Sequence, residues 1–162
     1  MAANETLAIW EAAGGTPPVT AAATLDTRNG HVVLDFDADT NESSYFSAVL
    51  PKHYAGGNVA CKLHWMATSA TSGNVRWSAA FERLKAGGPD LDSNGFQTAV
   101  EATAAANGTS GKLAVTALTL TALDGAVAGD AFRIVVTRVA NDGTNDTLTG
   151  DAELVQVELV EV

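Results

Sequence analysis

The chain has 162 residues, is 46% hydrophobic and carries a formal net charge of −10. That length suits one domain with a proper core, and that apolar fraction excludes intrinsic disorder. The acidic balance argues against phosphate backbones and anionic membranes as partners and favours a basic or mixed docking surface.

Ala, Val, Leu, Thr and Gly dominate, and long Lys/Glu/Arg stretches of the helical kind are missing, which favours strands and turns. The opening MAANETLAIWEAA lacks the basic region and apolar block of a signal peptide, so synthesis in the cytoplasm is expected. Residues 1–10 read either as an N-terminal arm reaching a neighbour or as an edge strand closing the fold. Leu7, Ile9 and Trp10 are the interface candidates there.

PVTAAATLDT and HVVLDFD flank Asn29-Gly30, the strongest short hairpin signal. Asp35, Asp37 and Asp39 share one face if the second strand persists through LDFDADT. A paired-acid glycosidase could begin this way, but a solvated face or a strand-end turn is the commoner account. SSYFSAVL is the next strand, with Tyr45 and Phe46 on opposite faces. Tyr45 is therefore a fourth interface candidate.

Period-two alternation is clearest in the middle of the chain. Val59, Cys61, Leu63 and Trp65 share one face, with Lys62 and His64 on the other; Val75, Trp77, Ala79 and Phe81 oppose Arg76, Ser78 and Glu82. The small polar ATSATSG between them suggests an antiparallel hairpin. The lone Cys61 reads as a buried small hydrophobe and allows no disulfide.

Next comes PDLDSNGFQTAVE, in which Asp90, Asp92, Asn94, Gly95 and Glu101 satisfy the calcium-loop pattern D-x-[DN]-x-[DN]-G-x5-E. An EF-hand needs a helix on each side of its loop, and Gly87, Gly88 and Pro89 stand where the first would be. An Asx-rich turn is the preferred reading; Asp90, Asp92, Asn94 and Glu101 stay as a minority calcium set, and NDGTND is a weaker second candidate. FQTAVEATAAANG fits either a short helix or an edge strand. KLAVTALTLTAL, DAFRIVVTRVA and DAELVQVELVEV supply three late strands, separated by Asx/Gly turns.

The sum is eight to ten strands in one all-β domain spanning 1–162. We expect an antiparallel two-sheet sandwich, jelly-roll-like, with little helix. His31, His53 and His64 show no metal-ligand spacing, and no nucleophile motif is present, so neither catalysis nor a cofactor is expected. Few lysines are available to blunt strand edges, which favours a homo-oligomer.

LDFD, LPKHYAGG, the Trp65/Trp77 pair of strands and GDAELVQVELVEV together resemble small virion proteins of tailed bacteriophages, over most of the chain from about Thr24. The resemblance implies a jelly-roll capsid decoration (cement) protein. Such a protein would be non-enzymatic, often trimeric, seated on the major capsid protein and located on the virion. It carries no functional residue over position by position. The alternative in the same setting is a tail- or fibre-associated jelly roll that recognises a host glycan.

Overall fold

The computed structural model describes residues 4–162. Ten strands make up nearly all the regular structure among them: β1 Thr6–Glu11, β2 Thr24–Arg28, β3 His31–Phe36, β4 Glu42–Val49 and β5 Val59–Ala67, followed by β6 Asn74–Leu84, β7 Val100–Ala105, β8 Ala114–Leu120, β9 Ala131–Arg138 and β10 Ala152–Glu161. The helical content is one 3-10 turn, Ala12–Gly14.

Two antiparallel sheets enclose the core. Sheet A runs β2-β3-β10-β5-β8, with β1 also paired to β10; sheet B runs β4-β9-β6-β7. Inward residues meet between them: Trp65 and Trp77 pack edge to face at 5.8 Å, Phe36 meets Trp77 at 5.1 Å, and Phe81 stacks on Phe132 at 5.1 Å. These rings are fully buried and dominate core burial, each removing a large apolar area from water.

Asn29-Gly30 makes the two-residue turn between β2 and β3. Both residues have positive φ (48° and 80°), as a type I′ turn demands. FQTAVEATAAANG resolves as the edge strand β7, because Val100, Ala102 and Ala104 alternate toward the core. Thr6–Glu11 is a sheet strand too, so the segment expected as an arm or an edge is β1 here; residues 1–3 lie outside the described residues.

The expected Trp65/Trp77 hairpin is corrected. β5 pairs with β10 and β8 in sheet A, whereas β6 pairs with β9 and β7 in sheet B. Alternation fixes which side of a strand is apolar but not which strand lies beside it. A six-residue connection easily spans the ~10 Å between layers, so the two apolar faces meet across the core rather than side by side. The crossing ends at Gly73, where φ is 115° and a Cβ would lie 2.8 Å from the Thr147 carbonyl oxygen.

The NDGTND segment is tied down by a buried ion pair. Arg138 donates from Nε and Nη2 to the two carboxylate oxygens of Asp146, at 3.0 and 2.8 Å. Its other three N–H groups donate to the carbonyls of Phe36, Gly150 and Leu148 at 2.9–3.1 Å. All five guanidinium donors are therefore used, as a buried arginine requires.

Candidate binding face on sheet A

Two wide outer faces remain once the core is filled, and they differ in cover. On sheet B the 85–99 connection lies over the strands. Asn94 donates from its amide to Glu82 Oε1 at 3.0 Å and to the Arg83 carbonyl at 2.9 Å. Phe96 sits 5.6 Å from Tyr45, and the Arg133 guanidinium lies 4.8 Å from both rings. Arg133 also pairs with the buried carboxylate of Glu82. Both outward rings of this region are thus occupied as a clamp on a cation.

The calcium-pattern residues do not converge. Asp90 Oδ1 accepts the Asp92 backbone N–H at 3.0 Å, Asn94 is turned toward Glu82, and Glu101 on β7 is held by Arg76 Nη2 at 2.6 Å. The spelling is that of a calcium loop, but the fold uses it as an Asx turn leading into an edge strand. The second acidic candidate is engaged likewise, because Asp146 serves Arg138 and Asp142 accepts from Asn145. The aspartate row is broken as well. β3 stops at Phe36, and Asp37 accepts the backbone N–H groups of Asp39 and Thr40, which hold its pKa below the ordinary carboxylate range.

Sheet A leaves its outer face open, and a fault in β10 shapes it. On one side β10 pairs with β5 along its whole length. On the other, β3 pairs only as far as Leu154 and β1 takes over from Gln156. Val155 is the extra residue at the register slip of the β10–β5 ladder, between Leu154↔Trp65 and Gln156↔His64. Because β1 occupies the edge beyond it, the first residues of β3 splay away from β10. A cleft of about 350 Å³ opens there, lined by Glu11, Gly30, His31, Val32, Val155 and Gln156. A second cleft of about 240 Å³, more apolar, is lined by His31, Met66, Gly111, Leu113 and Val155. His31 and Val155 line both clefts, which adjoin there as a groove.

Arg28 fixes one wall. It donates to Glu153 Oε2 at 2.5 Å, to the Ala67 carbonyl at 3.0 Å and to Ser110 Oγ at 3.0 Å. The β2–β3 hairpin is thereby strapped across β10 to β5 and to the 107–112 loop. Beside the strap, Asp35 faces Glu153 in register. Burial, followed by the charges of Glu153, Asp26 and Asp151, pushes its carboxyl up to about 6.

The N-terminal interface candidates divide by face. Leu7 is buried, and Trp10 turns inward against Phe46 and Phe132 while its indole N–H donates to the Ser47 carbonyl at 3.0 Å. Ile9 is the one that points out, 60% exposed. Tyr45 is half-buried in the Arg133 clamp. His53 lies 3.7 Å from Glu5, away from His31 in the groove.

The groove residues were missed by motif reading, although a signal for the fault exists. The inward residues of β10 run Leu154, Val157, Leu159, and the three-residue step marks the bulge.

No protein-family model matches the chain, and no curated protein matches it. Among solved structures it is similar to the CBM22-1 xylan-binding domain of Xyn10C from Paenibacillus barcinonensis. The TM-score is 0.54 at 12% identity, over 99% of this chain and 96% of that one. It is also similar to part of an exo-β-1,3-galactanase from Phanerochaete chrysosporium, with TM-score 0.53 at 15% identity, over 96% of this chain and 29% of that one. The phage resemblance has no counterpart in these likenesses; at such identities they establish the architecture, an all-β jelly-roll sandwich of two antiparallel sheets.

Proposed function

We propose that this chain is a non-catalytic attachment protein that decorates the capsid of a tailed bacteriophage, docking through the outer face of sheet A. The observation that carries this reading is the His31–Val155 groove. It lies on the outer face of sheet A, beside the 107–112 loop, and it continues onto the exposed side chains of Leu113 and Val115. A chain with net charge −10 stays soluble when free, while a partly apolar face supplies the contact that excludes water in the complex. A ligand that binds only the assembled lattice stabilises that lattice by mass action.

The test is to mix purified protein with undecorated capsids and count bound copies. Saturation at a fixed number per lattice site is expected, and Leu113→Asp should abolish it. Absence of saturable binding, or undiminished binding by that variant, would sink the proposal.

A second reading is glycan recognition in the same groove. The polar side chains of Glu11, His31 and Gln156 favour it, as does the likeness in fold to a xylan-binding domain. Against it stands the absence of an aromatic ring among the lining residues, so no flat platform is offered to a sugar face. Affinity electrophoresis in soluble xylan and galactan separates the two, since retardation by a polysaccharide supports the second reading.

A further inference from the structure

We infer that β8 is a self-pairing edge, through which two copies of this chain join their A sheets about a two-fold axis at Ala117. The other sheet edges are each protected. The free edge of β4 is covered by the 16–23 segment: Thr16 and Tyr45 exchange backbone hydrogen bonds at 2.7 and 2.9 Å, and Ser43 bonds to Ala21 and Ala23. β1 has a register slip and ends in Glu11. β2 is five residues long and carries Asp26 and Arg28. β7 carries Glu101, held by Arg76. Slips, charges, shortness and covering segments are the usual means by which proteins prevent edge-to-edge pairing.

β8 has no charge, no slip and no hydrogen-bonded covering segment among the described residues. Its sequence, AVTALTL, contains no charged residue, glycine or proline, and its register with β5 is unbroken from Val59↔Leu120 to Trp65↔Ala114. It ends the order of sheet A, with no ladder partner on its far side among the described residues. β7 of sheet B packs against it without ladder bonds, and Ala102 and Ala104 of β7 and Ala114 of β8 are small, half-buried residues.

The strand is also complementary to itself. An antiparallel pairing centred on Ala117 sets Ala114 against Leu120, Val115 against Thr119 and Thr116 against Leu118 of the second copy. Inward residues meet inward residues, outward meet outward, and no like charges oppose. None of the charge of either copy lies on β8 itself, and the nearest charged side chain in β5, Lys62 opposite Ala117, is basic. The partner is therefore a second copy of this chain, and the closure is two-fold rather than the three-fold assembly implied by the phage resemblance. The joined sheets carry both grooves on one surface, so a repeating lattice would gain avidity from the pair.

The test needs no capsid, so its failure and the failure of the attachment reading are distinguishable. Sedimentation equilibrium should give twice the 16.6 kDa chain mass. Ala117→Glu places two carboxylates face to face at the axis, while within each chain it faces Lys62, so the fold is retained and the mass should fall to that of one chain.

A117C should form a disulfide-linked dimer on mild oxidation, because directly opposed residues lie about 4.5–5.5 Å apart, within disulfide reach. V115C should not, since the two copies would stand roughly 13 Å apart along the strands. Cys61 is buried and stays out of the reaction. A monomeric or trimeric wild type, an A117E variant that keeps double mass, or equal cross-linking of A117C and V115C would overturn the inference.

Discussion

Asp146→Ala is the substitution that most sharply tests how the core is tied to its loops. Arg138 and Asp146 have side chains 0% and 1% exposed, so the pair is screened from water on all sides. Asp146 also accepts the Arg76 backbone N–H at 3.0 Å, which joins β6 to the 139–151 connection. Removing the carboxylate leaves a guanidinium buried with three carbonyls and no counter-charge. Breaking such a pair typically costs about 3–5 kcal/mol, a large part of the roughly 5–15 kcal/mol by which a domain is stable. For a chain of this size the melting temperature should fall by roughly 6–20 °C.

Urea titration followed by tryptophan fluorescence is the assay, because Trp77 on β6 reports on the same core. The paired change Arg138→Met with Asp146→Leu should recover most of the loss, since two apolar groups leave no charge unpaired. A loss below about 1 kcal/mol for Asp146→Ala would refute the reasoning, because exposed pairs behave that way.

Four further outcomes follow from the same geometry. Burial pushes the Cys61 thiol up to about 12, so a thiol reagent at neutral pH should not label it until urea unfolds the protein; rapid labelling of the native chain would contradict its burial. Thr116→Val removes the acceptor of the Trp65 indole N–H, 2.9 Å away and buried, and should cost about 1–3 kcal/mol by the same titration. Asp35 has its folded pKa raised from 3.8 to about 6, so the folded state holds the extra proton and stability should fall as pH rises from about 4 to 6. Asp35→Asn should flatten that slope and, after allowance for solvent screening, add about 1 kcal/mol at pH 7 in a pH series of melts. Because Asn94 and Glu101 serve Glu82 and Arg76, added calcium or chelator should leave the melting temperature unchanged; a rise with calcium would show that the 90–101 segment rearranges to bind it.

What the sequence determined by itself is local. Period-two alternation named the inward faces of β5 and β6 residue by residue, since a half-buried strand cannot place Trp65 or Trp77 on its wet side. Asn29-Gly30 named its own turn, because positive φ is cheap only for such residues. Neighbours were not legible. Nothing in ATSATSG distinguishes a hairpin from a crossing between sheets, and that choice depends on β10 and β9, far along the chain, arriving as the partners of β5 and β6. The calcium pattern likewise failed because ligand geometry belongs to the fold: Glu101 went to Arg76 on the next strand and Asn94 to Glu82. The groove exists only where β1 and β3 meet end to end along β10, with His31 and Val155 brought together from opposite ends of the sequence. A strand carries its own face in its sequence, but its partner is chosen by the rest of the chain, and a site made by partners is decided there.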